Sequence, residues 1–244
     1  MTLIEIMVVI AIMAVVLGVS IISMSGVLGL QQTGATKELA QTYRFLANEA
    51  ALKNVTFRIA YNLDERSYKI EVAAPDALVF TEPEKREEYE ELMAEKMSDL
   101  QGLENFEDMN LSDEELELLE GSRRFEGMDD AALNTEVTLP RGSYFAWIYT
   151  PQYSEAVEPQ FDFNDPDFDP DQEELEEPTI VYSYIFSNGH VEHTLVRIAA
   201  MDDPADGLTI EVEPLSGRVE MHDGDFGVED SMSWLPDEGP DLDI

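Results

Sequence analysis

Cysteine is absent from the 244 residues, which excludes disulfides and thiolate metal sites and leaves the cellular compartment unread. Cations are scarce. Fourteen Lys and Arg stand against 53 Asp and Glu, a formal net charge of −39. A surface of that sign repels nucleic-acid phosphates, so a nucleic-acid partner is set aside. It also repels anionic lipid headgroups, so only a buried segment could attach the chain to a membrane. Histidine occurs at 190, 193 and 222 alone, little material for a transition-metal or imidazole-based catalytic site. His190 and His193 fall in a strand-like stretch, where residues three apart point to opposite faces and do not readily share a metal. No nucleophile motif, phosphate-binding loop, dinucleotide fingerprint or zinc spacing occurs. Acidic pairs are so abundant that no single one is informative. The chain therefore reads as a non-enzyme.

What the chain does have is one long apolar run. From Ile6 to Met24 it reads IMVVIAIMAVVLGVSIISM, without charge or proline. As a helix this is about 28 Å long, close to the hydrocarbon thickness of a bilayer. A cleaved secretory signal fits poorly, because no Lys or Arg precedes the run and no A-x-A site follows. All-round apolarity over this length also argues against a buried core helix. Glu5 is the odd residue, since a carboxylate opening an apolar helix is costly unless it reaches a partner or the interface. It either favours the positive end of the helix dipole near the headgroups, or pairs with the α-amino group of a neighbour's Met1 if many such helices pack side by side. The spacing leaves both open.

Beyond the run the helical pattern continues. Leu39, Tyr43, Leu46 and Ala50 keep i, i+4, i+7, i+11 spacing, with Lys37, Arg44, Asn48 and Lys53 off that stripe. The sum is a helix of about 50 residues, about 75 Å if straight. Residues 1–25 span the membrane and 26–54 are amphipathic, the outer half lying on a globular domain. Gly18, Gly26, Gly29 and Gly34 interrupt it, each weakening the helix by about 1 kcal/mol relative to Ala. Close packing of small residues and local melting on leaving lipid are the two readings of these glycines.

The segment MTLIEIMVVIAI resembles the mature N-terminus of type IV pilins and pseudopilins, written Phe-Thr-Leu-Ile-Glu before an apolar run. Thr2, Leu3, Ile4 and Glu5 match, and Met1 stands where Phe is usual. Residues 38–72 are similar to the GspH/FimT branch of this superfamily, with Arg44-x-x-x-x-Glu49-Ala50 leading into the first strands. Tyr184–Ile198 and Leu208–Met221 resemble that branch's last strands, including the turn Ser216-Gly217-Arg218-Val219. The likeness covers roughly residues 1–72 and 180–222. It implies an α+β pilin fold: a long N-terminal transmembrane helix packed on an antiparallel β-sheet or sandwich head. It further implies that prepilin peptidase removes a leader and methylates Met1, with Met1 taken as the mature residue. The subunit would sit single-pass in the bacterial inner membrane with its head in the periplasm. From there it would join a short filament, with Glu5 pairing to a neighbour's N-terminus beside Thr2, Leu3 and Ile4. The implied setting is the type II secretion pseudopilus, this chain serving as a minor pseudopilin near its tip. Its partners would be the other major and minor pseudopilins, the inner-membrane secretion platform and a secreted substrate. A minor pilin priming a type IV pilus is the close variant. A monomeric membrane-anchored binding protein is the alternative of another class.

The remainder, residues 55–235, reads as a β-rich periplasmic head. Thr56–Asn62 and Ser67–Ala73 flank a Leu-Asp-Glu-Arg turn as a hairpin. Thr135–Leu139, Tyr144–Thr150, Thr179–Phe186, Glu192–Ile198, Leu208–Glu213 and Arg218–Met221 follow as strands, with tight turns at Asn188-Gly189 and Ser216-Gly217. Two acidic insertions interrupt the head, at about 82–130 and 158–178. The first holds a helix opened by Pro83, with Glu91 and Glu95 beside Lys96 and a partial apolar stripe of Leu92, Met93, Met97 and Leu100. A second helical stretch, LSDEELELLEG, has Ser112 as N-cap, Glu115 three residues on and Gly121 as stop. A solvated excursion and a contact surface are both open for this insertion. The second insertion places Asp165, Asp167, Asp169, Asp171, Glu173 and Glu176 at calcium-loop positions 1, 3, 5, 7, 9 and 12. Pro170 occupies the position that needs glycine, which excludes a standard EF loop. Calcium at these residues and a plain acidic loop remain as alternatives, and no other cofactor is expected. Residues 236–244 form an acidic tail expected to fray.

Overall fold

The computed structural model describes residues 32–101, 125–127, 136–163, 165, 177–214 and 217–231. The apolar run Ile6–Met24, the stretch LSDEELELLEG and the 236–244 tail lie outside these residues. Among the described residues no helix is long and apolar enough to cross a membrane.

Helix α1 covers residues 32–53. The stripe read from spacing is the face it buries: Leu39, Tyr43, Leu46 and Ala50 are wholly inaccessible, while Lys37, Arg44, Asn48 and Lys53 are exposed. The helix stops at Asn54, whose φ of 52° is left-handed, and the Val55 N–H returns to the Ala50 carbonyl at 3.2 Å. That is a Schellman-type end, with Asn in the place usually taken by glycine.

The chain then enters two antiparallel sheets. Strands β1 (Thr56–Asn62) and β2 (Ser67–Ala73) form the first hairpin, in register Asn62↔Ser67 through Thr56↔Ala73. Its four-residue turn ends on Arg66 at φ 55°. Helix α2 (Pro83–Gln101) follows, then the short strands β3 (Glu126–Gly127) and β4 (Val137–Thr138). Strands β5 (Ser143–Tyr149), β6 (Ile180–Ile185), β7 (Thr194–Ala200), β8 (Gly207–Val212) and β9 (Val219–Asp223) complete the set, before the single turn α3 (Val228–Ser231). One sheet has the order β3-β2-β1-β6, with β4 also on β2. The other has the order β5-β7-β8-β9.

Period-two alternation sorts the side chains. Phe57, Ile59 and Tyr61 of β1, Val181 and Ile185 of β6, Val196 and Ile198 of β7, and Ile210 and Val212 of β8 point inward. They merge with the α1 stripe in one core. In β5 both Phe145 and Ile148 are core residues three positions apart. A bulge between Phe145 and Trp147 makes this possible by adding a residue to the alternation. The two glycine turns rest on the helix. A Cβ at Gly189 would lie 3.7 Å from the Ala51 Cβ, and one at Gly217 would lie 3.9 Å from the Ala47 Cβ. Both glycines have positive φ, 83° and 61°, which is why these dipeptides can turn so tightly against α1.

Three sequence expectations shift. The strand expected at Glu192–Ile198 begins at Thr194 instead. Val191 makes an isolated bridge to Ile185 and the Glu192 carboxylate takes the Tyr184 N–H at 3.1 Å, so the chain is still leaving the first sheet there. The strand expected at Thr135–Leu139 is reduced to Val137–Thr138, paired with Tyr68 and Ser67 at the outer edge of β2. Finally, the first insertion is not wholly an excursion, because Glu126–Gly127 returns to pair with Val72 and Glu71.

Candidate functional site

Helix α1 joins the N-terminal motif to the head, and its geometry decides what each of its faces does. Gln32 is buried and donates from Nε2 to the carbonyls of Ile198 (2.8 Å) and Asp206 (3.0 Å). These bonds tie the start of the described helix to the β7–β8 turn. Arg44 donates from Nη2 to the Val219 carbonyl at 2.8 Å, tying its middle to β9. Under the helix, the Tyr61 hydroxyl donates to the Tyr43 hydroxyl at 2.8 Å, and Ser183 and Thr194 share a 2.6 Å bond. This polar seam links α1 to β1 and β6 of the first sheet and to β7 of the second, inside an otherwise apolar core. Burial pushes the Tyr43 phenol up to about 12 and Tyr61 well above its ordinary value, so both stay neutral hydroxyls that can bond one another.

Among the described residues the outward face of α1 carries no comparable hydrogen bonds to the head. Gly34, Glu38, Gln41, Phe45, Asn48 and Leu52 follow one another at spacings of three and four and are exposed, Gly34 and Glu38 lining a cavity with Tyr68, Val137 and Arg141. Phe45 is 44% and Leu52 79% exposed. The head thus holds the helix by one face, and Gln41, Phe45, Asn48 and Leu52 on the other are exposed.

On the opposite side of the first sheet sits the first insertion. Helix α2 docks by Arg86 and Met93, both buried, with the Tyr89 ring tilted against Phe80 at 5.2 Å. The stripe expected through Leu92 is corrected here. Leu92 is 49% exposed, because the helix is rotated to lay the Arg86 guanidinium 4.4 Å from the Tyr182 ring centre. The Arg58 guanidinium lies 4.1 Å from the same ring and 4.5 Å from Phe125, and it pairs with Glu71. The side chains of Met97 and Leu100 lie outside the described residues. Beneath α2 is a cavity of about 280 Å³ lined by Arg58, Lys69, Arg86, Tyr89 and Phe125 among others. Two of its cations are matched within the chain, since Glu71 serves Arg58 and Lys69 and Glu90 serves Arg58, while Arg86 meets the exposed Glu87 at 3.7 Å.

The second insertion is closed at its base by a residue of the first hairpin turn. Asp64, buried, accepts from the Gln160 N–H and the Thr179 N–H, each at 2.7 Å. Gln160 also donates from Nε2 to the Glu177 carbonyl at 3.0 Å. Phe163 packs on Tyr144 at 5.3 Å. A carboxylate facing two backbone donors makes charge-assisted bonds, so the stems stand side by side whatever the loop between them does.

The sequence-predicted assembly residues Met1, Thr2, Leu3, Ile4 and Glu5 lie outside the described residues. So do Asp167, Asp169, Asp171, Glu173 and Glu176 of the calcium reading. Asp165 is described: it is exposed, and its N–H bonds the Asp162 carbonyl at 3.1 Å. His190 sits exposed in the turn after β6, whereas His193 is 3% exposed and shares a 2.8 Å bond from Nε2 with Ser231 Oγ. Burial lowers the His193 pKa, against a raising effect from Glu211. The structure also assembles a constellation that the sequence reading passed over: Glu211, Glu220 and His222 on the β8–β9 pair. Its signal was available in the alternation of β8 and β9 about the Ser216-Gly217 turn.

No protein-family pattern and no curated protein matches the chain. Among solved structures, it is similar to the minor pseudopilin EpsH from the type II secretion system of Vibrio cholerae. One structure of that protein gives 12% identity over 81% of this chain and 99% of the other, with a TM-score of 0.46. A second gives 13% identity over 80% and 97%, again at 0.46. A likeness this distant identifies neither activity nor partner.

Proposed function

We propose that this chain is a structural subunit of a type IV pilin-like filament, a minor pseudopilin of the type II secretion pseudopilus acting near its tip. The observation that carries this reading is one continuous design. The motif Thr2-Leu3-Ile4-Glu5 heads an apolar run, and the helix downstream is seated on a two-sheet head along Leu39, Tyr43, Leu46 and Ala50. Such an arrangement separates two tasks. One face of the helix holds the head, and the rest of the helix is left for lipid before assembly and for neighbouring helices after it.

In this reading prepilin peptidase processes the chain at Met1, and the apolar run holds it in the inner membrane with the head in the periplasm. Glu5 then pairs with the α-amino group of an adjacent subunit, because a carboxylate among apolar helices needs a cation. Assembly on the inner-membrane platform, alongside major and minor pseudopilins, pushes folded substrates outward. The work is mechanical, and no residue is assigned to catalysis.

Deleting the gene, then counting secreted proteins and surface pili on the same cells, tests the machine. Retained secretion substrates with normal pili are the expected result. Intact secretion with lost pili would move the protein to a type IV pilus. Glu5→Ala tests the mechanism. Membrane insertion should survive while complementation of the deletion fails, and a fully active variant would overturn the pairing role.

A further inference from the structure

The β8–β9 pair gathers metal-ligand chemistry at the edge of the second sheet. Glu211 and Glu220 stand directly opposite one another, and His222 pairs in register with Thr209. Residues 220 and 222 share a face by the strand period, as do 209 and 211. All three ligand-bearing side chains therefore project from the same side of the hairpin. One donor atom from each lies within 4.8 Å of the other two. His222 Nε2 is 2.8 Å from Glu211 Oε2. Donors around an ion with bonds of about 2.0–2.2 Å stand on the order of 3 Å apart, so the imidazole and this carboxylate are already at ligand spacing.

Two further observations point to a cation. The first concerns Glu211, whose side chain is 91% buried from a relative exposure of 9%. Among the described residues its ion-pair partners are two imidazoles, His222 and, at 3.9 Å from its other oxygen, His193. Among the described residues no Lys or Arg forms an ion pair with it, Arg218 acting on it only at longer range. A buried carboxylate ordinarily has a full positive charge or a metal against it. The second concerns His222, whose ring lies parallel to Phe226 at 3.7 Å with an interplanar angle of 3°. That stack restricts the plane of the imidazole while Nε2 faces the Glu211 carboxylate.

We propose that Glu211, Glu220 and His222 form a binding site for a divalent first-row transition cation, with Zn²⁺ as the best-fitting probe. One imidazole and two carboxylates suit that class. Calcium and magnesium, which take oxygen ligands, would leave His222 without a role. Three protein donors leave one coordination position for water. The ion staples β9, the edge strand, to β8 and neutralises the buried end of Glu211. Arg218 is its internal competitor: the guanidinium bonds Glu220 at 3.1 Å and Glu213 at 2.6 Å, so Glu220 must be shared or released when the metal binds.

The test is a Zn²⁺ titration of the full chain in detergent, under excess Ca²⁺ and Mg²⁺ to occupy the many other carboxylates. The expected result is one tightly held Zn²⁺ per chain, with X-ray absorption showing a nitrogen donor. His222→Gln should weaken binding by more than the roughly 10–100-fold typical of losing a supporting residue. Circular dichroism on the same sample establishes that this variant is folded. His190→Ala should leave binding unchanged. Arg218→Ala should tighten binding several-fold by freeing Glu220, a change that general destabilisation of the hairpin would not produce. Zn²⁺ held equally by His222→Gln and the parent, or binding abolished by Ca²⁺, would overturn the site.

Discussion

Glu192 sits where the chain passes from β6 to β7, and its carboxylate accepts from two donors: the Tyr184 N–H at 3.1 Å and Gln152 Nε2 at 3.0 and 3.2 Å to its two oxygens. Gln152 in turn meets the Arg86 guanidinium at 3.5 Å. Burial nevertheless outweighs these bonds and raises the Glu192 pKa from 4.5 to about 7. The sign follows. The folded state holds this proton more tightly than the unfolded chain, so protonated Glu192 favours the fold. That contribution is lost as pH rises from about 4.5 through about 7, to an extent on the order of 2–3 kcal/mol. Glu192→Gln keeps an oxygen for the Tyr184 N–H and removes the titration. Urea denaturation at pH 5 and pH 8 should therefore show the variant gaining on the parent as pH rises, by roughly that amount. Parallel pH profiles would mean that the carboxylate is better solvated than its surroundings suggest. None of this was legible in the sequence, where Glu192 is one acid among 53. Its perturbation comes from burial, and Gln152, which opposes the shift, lies 40 positions away.

At the scale of the element, α1 shows what periodicity reads well and what it cannot. The buried stripe Leu39, Tyr43, Leu46 and Ala50 was legible because a helix with one seat repeats every 3.6 residues. The β1–β2 hairpin was legible because alternation and a four-residue turn fix both ends. Helix α2 was legible as a helix but not in its orientation. Its seat is made by guanidinium on aromatic rings, and Arg86 scores as a surface residue in any apolar pattern. The Glu211–Glu220–His222 group was readable in principle, since the Ser216-Gly217 turn sets the register that brings them together. Scarce histidine drew the reading away from a transition metal. Gly34 is the residue of α1 whose role stays open between packing and flexibility. A Cβ there would meet nothing within 4 Å, so the head does not require glycine. Gly34→Ala should stabilise the folded chain by about 0.5–1 kcal/mol through helix propensity. If the glycine serves close approach of a neighbouring helix, the same variant should complement a gene deletion poorly despite its higher stability. A stabilised and fully functional Gly34→Ala would leave only the helix-melting reading, or none, for this position.

The whole molecule carries −39, and that charge constrains how copies of it can meet. Even with the outward face of α1 available, stacking many identical heads brings like charges together at every contact. The cost is greatest where screening is weak, since the Debye length is about 30 Å at 0.01 M salt and about 3 Å at 1 M. A filament made only of this subunit is therefore disfavoured under ordinary ionic conditions. A filament in which it occupies one or a few places among less acidic subunits is not. This is the physical argument for a minority subunit and against a filament built of this chain alone. Sedimentation of the full chain in detergent should show little self-association at low salt and increasing association as salt is raised. Addition of a less acidic subunit carrying the same N-terminal motif should produce mixed complexes at low salt, where the pure chain forms none. Quantitative cross-linking of assembled filaments should then find this chain at a small fraction of the major subunit. Unlimited homopolymers at low salt would contradict the argument directly, because they would require the contact faces to exclude the acidic surface that dominates the composition.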